Sequence, residues 1–174
     1  MKNDLIWTKT LLTVYRYLER ISGAIDKIIM QSALNSSNIV GQNYFYNNVY
    51  SISQKLIDLS ERKVTLINLK VLIEETLADI DEKSAKILIE KYFDGIKSKE
   101  IAERNSISMR TVFRKITNAE NGFCCRLRLK GYNGTKLENM LKNEGWINNV
   151  FLRLSEKDDE FELSNTYLAK AVSM

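Results

Sequence analysis

The chain has no histidine among its 174 residues, and this absence limits the chemistry available to it. A Ser-His-Asp triad, a Cys-His pair and a zinc site with imidazole ligands all require that side chain. The two cysteines, Cys124 and Cys125, are neighbours in the chain. Neighbours on a helix point about 100° apart, so these thiols are poorly placed to share a metal or to form a disulfide. The sequence therefore predicts no enzyme, no catalytic residue, no metal and no cofactor.

The charged residues with the clearest pattern lie in the middle of the chain. Residues 83–130 contain 12 basic and 5 acidic side chains, a net charge of +7. The flanking segments, 1–82 and 131–174, carry net charges of −1 and −2. A basic segment between near-neutral flanks is typical of a protein that binds nucleic acid. Lysine-rich helix faces without such a partner are the alternative explanation.

Three short helices are predicted to position this charge. The first covers about residues 82–93 and stops at Asp94-Gly95, because glycine tolerates the left-handed backbone that follows a helix end. Ser98 is the predicted N-cap of the second helix, and Ser108 is the predicted N-cap of the third. Residues of this type satisfy the free amide groups at a helix start, so both helices have defined first turns.

The third helix begins at Met109 and is amphipathic. Arg110, Arg114 and Lys115 lie on or near one side, and the other side carries the apolar residues Val112, Ile116, Ala119 and Phe123. A helix-turn-helix typically has a small residue where its two short helices cross and an apolar anchor in the turn. It also has an apolar residue ten positions after the small one. Ala102, Ile107 and Val112 meet these three requirements. The pattern predicts that the last helix of the motif enters the major groove of DNA.

Residues Ile87–Ala119 resemble region four of bacterial sigma factors, the module that recognises the upstream promoter element. The residues that carry the resemblance are Tyr92-Phe93-Asp94-Gly95, Lys99-Glu100-Ile101-Ala102, Ile107-Ser108 and Thr111-Val112 with Ile116. The chain departs from the family at Asn105 and Ser106, where leucine and glycine are usual, and at Phe113, where a polar or basic residue is usual. No counterpart of sigma region two is found, so the resemblance implies a sigma-like regulator rather than a complete sigma factor.

The resemblance also implies which residues contact DNA. Met109, Arg110, Phe113 and Arg114 match the base-reading face of the recognition helix, where an arginine can bind guanine through two hydrogen bonds. For Met109 and Phe113 the alternative is packing in the core or at an interface. Contacts to DNA phosphates are expected from Lys97, Lys99, Ser108 and Lys115, for which a plain solvated face is the alternative.

The N-terminal region is predicted to form long helices, the first over residues 4–33. Its apolar residues follow a strict heptad pattern, which indicates a seam against another helix. This seam consists of Trp7, Leu11, Val14, Leu18, Ile21, Ile25 and Ile28. The other helix belongs either to the same chain or to a second copy in a homodimer. Two more helices are predicted, over residues 42–58 and from Ser60 to Ile80, with Val64 among the inward-facing residues.

The sequence thus predicts an all-α fold with three regions. Residues 1–80 form an N-terminal bundle of long helices that serves dimerisation, residues 81–130 form the helix-turn-helix, and residues 131–174 form a short helical extension with a tail. The N-terminus lacks a signal-peptide pattern and no run of 18 apolar residues occurs, so a cytoplasmic protein with no membrane partner is expected.

Two hypotheses for function follow from these patterns. The first is a DNA-binding transcription regulator that acts as a homodimer on double-stranded DNA, with RNA polymerase as a further candidate partner. The second is an interaction module that docks onto RNA polymerase or a sigma factor without reading DNA itself. Basic residues on the third helix favour the first hypothesis, and an exposed Phe113 would favour the second.

Overall fold

The computed structural model describes residues 2–37 and 45–157, and every regular element in these two ranges is helical. The long helices are α1 (Lys2–Ser37) and α2 (Phe45–Ala78). They are followed by α3 (Glu82–Leu88), which continues as a π-helical turn over Ile89–Phe93, and then by α4 (Ser98–Arg104) and α5 (Met109–Leu129). The last two helices are α6 (Gly134–Leu141) and α7, which covers residues 145–157. The prediction of an all-α fold is confirmed, and the tail from residue 158 onward lies outside the described residues.

The chain divides into two compact units, and both α1 and α2 contribute to each of them. The first unit contains the residues up to Val14 together with those from Thr76 onward, so it includes α3–α7. The second unit is Tyr15–Glu75. The first four turns of α1 therefore group with the helix-turn-helix segment, although they belong to the N-terminal region of the sequence.

The second unit is an antiparallel hairpin of α1 and α2. Polar pairs along its length join the Tyr15 hydroxyl to Glu74 at 2.6 Å, Glu19 to Lys70 at 3.1 Å and Asp26 to Lys63 at 2.6 Å. Each step forward on α1 is matched by an equal step back on α2, which fixes the register. Between the helices lie the buried side chains of Leu18, Ile25, Leu66, Leu69 and Ile73.

The Tyr15 hydroxyl is the most strongly perturbed titratable group of this hairpin. Partial burial, followed by the hydrogen bond that the hydroxyl donates to Glu74, raises the pKa of Tyr15 to about 12. The phenol therefore stays neutral across the physiological range and remains a donor to the carboxylate.

Helix α2 corrects the prediction of two helices with a break at Ser60. The structure has one continuous helix there, and the Ser60 hydroxyl donates a hydrogen bond to the Leu56 carbonyl at 2.8 Å. A serine can satisfy its hydroxyl on the carbonyl four residues back without ending the helix, so its presence did not mark a boundary. Val64, expected inside, is exposed.

The predicted seam of α1 is buried along most of its length by residues of the same chain. Trp7, Leu11, Val14, Leu18 and Ile25 are at most 2% exposed. Ile21 is half-buried, and Ile28 at the end of the seam is exposed. Of the two alternatives for the seam, packing within one chain accounts for the burial of these five side chains.

In the first unit, the N-terminal turns of α1 pack on the C-terminal helices. The Trp7 ring stacks on Phe151 of α7 with ring centroids 4.5 Å apart. The Asp4 carboxylate accepts a hydrogen bond from the Gly134 amide at 2.7 Å and lies 3.9 Å from the Arg128 guanidinium. These contacts anchor the start of α1 against α5, α6 and α7, the helices that follow the turn of the motif.

Candidate nucleic-acid interface

The helix before the motif has defined ends. The Asp81 carboxylate accepts a hydrogen bond from the Ser84 amide at 2.9 Å and caps α3, and this bond holds the pKa of Asp81 below its ordinary value. At the other end, Gly95 has a φ of 69°, the left-handed conformation expected of the Asp94-Gly95 stop. The π-helical turn before it adds one residue to the helix, and the Asp94 amide bonds to the Ile89 carbonyl at 3.0 Å.

The start of α4 differs by one residue from the prediction that Ser98 is its N-cap. Lys97 occupies the cap position without a side-chain hydrogen bond, and Ser98 is the first helical residue. Ser98 is buried, and its hydroxyl lies 3.4 Å from the Lys91 ammonium, which acts as a donor. The serine faces the helix before it rather than the amides that follow it, so it does not cap α4.

The turn between α4 and α5 is formed by residues 105–108. Ser106 has a φ of 51°, a left-handed conformation in a residue that is not glycine. Glycine is the residue that adopts this conformation at least cost. On either side of it, the Asn105 side-chain amide donates to the Ile101 carbonyl at 2.9 Å, and the Ile107 amide donates to the Ala102 carbonyl at 3.0 Å. The turn is thus closed onto the last turn of α4.

Helix α5 begins at the predicted residue with the predicted cap. The Ser108 hydroxyl accepts a hydrogen bond from the Thr111 amide at 3.2 Å. The helix then runs through Gly122 and ends at Leu129. Beyond this point Lys130 forms an ion pair with Asp79 at 2.8 Å, so the basic residues at this end take part in contacts within the chain.

One side of α5 forms the floor of the motif. The four side chains predicted to face inward are all at most 6% exposed: Val112, Ile116, Ala119 and Phe123. Leu127 on the same helix is buried as well. The helix packs against α3 and α4, where Leu88, Ile101 and Ala102 are buried. Apolar burial of this kind stabilises the crossing of the two helices by removing their shared surface from water.

The opposite side of α5 carries the four residues predicted to read bases. Arg110 and Arg114 are exposed and lie one helical turn apart. Met109 is 39% exposed and Phe113 is 54% exposed. Neither apolar side chain belongs to the core of this unit, so the core-packing alternative does not describe them, and both lie beside the arginines.

The four residues predicted to contact phosphates are also exposed. Lys97 and Lys99 lie at the start of α4, Ser108 caps α5, and Lys115 lies in the second turn of α5. Both helix starts therefore present polar side chains at the surface, and only the start of α5 adjoins the turn that joins the two helices.

A groove of about 450 Å³ between α3 and α5 adds two lysines that the sequence analysis missed. Lys83 and Lys86 line its α3 side and Lys115 lines its α5 side, with the acidic Glu90 and the neutral Asn105 and Asn118 beside them. The signal was present in the sequence, because Lys83 and Lys86 are three residues apart within the basic segment and so share a face of α3. Without the crossing angle of α3 and α5, that face could not be assigned to the same groove as Lys115.

A buried carboxylate beneath the motif was also missed. Glu120 on α5 is 5% exposed, and the Tyr92 hydroxyl of the π-helical turn donates to it at 2.5 Å. This bond links the π-helical turn that follows α3 to α5. A glutamate in the middle of a basic helix is ordinarily expected on the solvent side, so no pattern in the sequence indicated its burial.

Comparisons of the chain with protein-family models, curated protein sequences and solved structures found no match. Within residues 2–37 and 45–157, no helix combines the length and apolar character needed to cross a membrane. In the same part of the chain, no group of three or more metal-ligating side chains comes together.

Proposed function

We propose that the chain is a sequence-specific DNA-binding transcription regulator that uses α4, the turn and α5 as a helix-turn-helix of the sigma-region-four type. The observation that carries the proposal is the division of α5 into two sides. Its apolar side is buried against α3 and α4, while Arg110 and Arg114 are exposed near its start. In helix-turn-helix proteins the N-terminal residues of the second helix contact base edges.

The left-handed Ser106 supports the sigma-like form of the motif. The resemblance assigns a glycine to this position, and the serine adopts a φ of 51° that glycine favours. Since the cap at Ser108 follows two residues later, the geometry of the turn sets where α5 begins.

The groove between α3 and α5 supports an assignment of roles to the basic residues. Lys83, Lys86 and Lys115 line this groove. A lysine ammonium is a compact point charge suited to phosphate, whereas arginine can read guanine through two parallel bonds. We assign the lysines to the DNA backbone and the arginines to base edges. We further propose that the protein is cytoplasmic, acts as a homodimer, and has neither enzymatic activity nor a cofactor.

The test is selection of bound duplexes from a random pool, followed by measurement of affinity at several salt concentrations. Arg110→Ala is expected to cost about 1–3 kcal/mol on the selected site and to relax its specificity at one base pair. Lys115→Ala is expected to weaken binding to all duplexes and to lower the slope of affinity against salt by about one.

Matched controls are available on helices outside the motif. Arg153 on α7 and Lys142 after α6 are exposed basic residues, so Arg153→Ala and Lys142→Ala remove the same charges. Both controls are expected to keep the affinity and specificity of the original protein. A pool that yields no duplex with salt-dependent affinity would refute the proposal.

The alternative function is docking onto RNA polymerase or a sigma factor without reading DNA. The observation that favours it is the exposure of Phe113 and Met109, since exposed aromatic and methionine side chains are enriched at protein interfaces. Under this alternative, Phe113→Ala would abolish capture of purified RNA polymerase while Arg110→Ala would leave that capture unchanged.

A further inference from the structure

Helix α2 carries a second apolar stripe outside its buried contact with α1, and two residues of this stripe, Ile67 and Val71, also border a groove lined by Leu18 of α1. Tyr50, Ile57, Val64 and Val71 follow one another at intervals of seven residues, and each is between 44% and 74% exposed. Ile67 lies three residues after Val64 and is also exposed. At about 1.5 Å per residue the stripe extends over roughly 32 Å of the helix. We call these five residues the outer stripe.

The outer stripe is distinct from the stripe that packs on α1. The buried residues Leu66 and Ile73 are also seven positions apart, and they face the hairpin core. In a left-handed coiled coil, apolar residues occupy the a and d positions of each heptad. The outer stripe fills four successive a positions and, with Ile67, one d position, while the other d positions hold Ser53, Ser60 and Glu74. Because α2 has two seven-residue apolar repeats on different faces, it is patterned for two helical partners, and α1 is the first of them.

The charges beside the outer stripe indicate the second partner. Lys63 and Lys70 immediately precede Val64 and Val71, in the positions that flank one edge of a coiled-coil seam. Four residues after Ile57 and Val71 come Glu61 and Glu75, which flank the other edge. The stripe therefore has one basic edge and one acidic edge.

A second copy of α2 in parallel orientation complements both edges at once. In a parallel, in-register pair the residue before each seam position meets the partner residue five positions later, so Lys70 of each copy meets Glu75 of the other, while Lys63 meets the neutral Asn68. An antiparallel pair would instead bring the two lysine-bearing edges together. Lys63 and Lys70 already contact Asp26 and Glu19 of their own chain, but a lysine ammonium has three donors and can bind a second carboxylate.

We propose that the outer stripe is the self-association surface of this protein and that two copies pair through α2, parallel and in register. The role of this contact rests on the proposed function, because a dimer would bring two recognition helices to one DNA site. The seam of α1 then serves the fold of each chain, and the outer stripe serves the contact between chains.

The test compares the full-length protein with charged variants by sedimentation at micromolar concentration. The original protein is expected at twice its chain mass of 20.2 kDa. Val64→Glu places two carboxylates across the pair and is expected to raise the dissociation constant at least about 100-fold, leaving a monomer with an unchanged helical spectrum. Ala24→Glu adds the same charge at an exposed position of α1, and this control is expected to remain dimeric.

A mixing experiment tests the parallel register. Val64→Lys is also expected to be monomeric, and an equimolar mixture of Val64→Glu with Val64→Lys is expected to form a dimer, because residue 64 faces residue 64 of the other copy. A monomeric original protein, or a Val64→Glu variant that still dimerises, would overturn the inference. Two monomeric variants that fail to pair when mixed would overturn the parallel arrangement.

These results are separable from the test of DNA binding. If the original protein is monomeric yet binds a selected duplex through Arg110, only the self-association surface is wrong. A dimer that Val64→Glu dissociates but that binds no duplex would leave this surface in place and refute the DNA-binding proposal.

Discussion

Replacement of Ser106 by glycine is expected to stabilise the protein, because the backbone at this position already has the conformation that glycine prefers. Ser106 is exposed and has a φ of 51°. For a residue with a side chain, the left-handed region costs about 1–2 kcal/mol. Glycine removes that cost but gains freedom in the unfolded chain, which offsets about 0.4–1 kcal/mol. The net expectation is a gain of roughly 0.5–1 kcal/mol in the free energy of unfolding of the first unit.

The measurement is urea denaturation followed by circular dichroism, with thermal denaturation as a second readout. Ser106→Gly should raise the urea midpoint without changing the slope, and it should raise the melting temperature by about 2–4 °C per kcal/mol. Ser106→Val should do the opposite, since a branched side chain tolerates this region poorly.

A matched control places glycine in a normal helical position. Glu138 is exposed within α6, and Glu138→Gly is expected to lose roughly 0.5–1 kcal/mol. If Ser106→Gly loses as much stability as this control, the serine is not strained in the folded protein. The argument that links this position to the glycine of the sigma family would then be wrong.

Three further predictions concern the caps and the buried carboxylate of the first unit. The Ser84 amide donates to Asp81 and lowers the pKa of its carboxyl group, so the stabilising contribution of Asp81 should be present above its ordinary pKa of 3.8 and be lost as the pH falls through the lowered value. In urea titrations across the acid range, Asp81→Asn should not show this loss. A variant whose stability follows the same pH profile as the original protein would contradict the cap. Ser108→Ala removes the cap of α5 and should cost about 1 kcal/mol in the same assay, so an unchanged midpoint would show that the cap contributes nothing. Tyr92→Phe removes a donor to the buried Glu120 and should cost about 1–3 kcal/mol, whereas a neutral result would mean that other partners fully compensate.

The parts of the fold that the sequence predicted well are those in which a local pattern decides the outcome. The start of α5 at Met109, its cap at Ser108 and its buried face were all predicted, because capping and helical periodicity act within one or two turns. The left-handed Gly95 followed from the same local chemistry.

The parts that the sequence did not predict depend on contacts between distant residues. Nothing near Trp7 in the sequence indicates that its ring stacks on Phe151. Likewise, the burial of Glu120 depends on a donor 28 residues earlier, which no periodicity reports.

The exposure of Val64 shows a different reason for error. The sequence predicts an inward position for Val64 because valine is apolar, but α2 has apolar residues on more than one face. A helix with two apolar stripes has a weak amphipathic pattern, because the hydrophobic contributions of side chains on different faces point in different directions and partly cancel. The two faces became separable only when the hairpin register identified which stripe packs on α1.

The residues around the motif also help to decide between DNA and a protein as its partner. The α5 face alone gives a mixed answer, because Arg110 and Arg114 favour DNA whereas the exposed Met109 and Phe113 favour a protein partner. Lysine does discriminate, because it is depleted at the cores of protein interfaces, while each lysine placed at a phosphate gains from the release of counterions. Three lysines, from α3 and α5, line one groove together with a single carboxylate, Glu90, so basic residues predominate there. A protein partner would have to desolvate these ammonium groups or leave them at its rim, whereas a DNA backbone crossing the groove would bind them directly.

The groove therefore favours DNA, and it predicts that Lys83→Ala and Lys86→Ala weaken binding to selected and unselected duplexes by the same factor. A loss confined to the selected duplex would show that the groove reads bases, and the division of roles between lysines and arginines would be wrong.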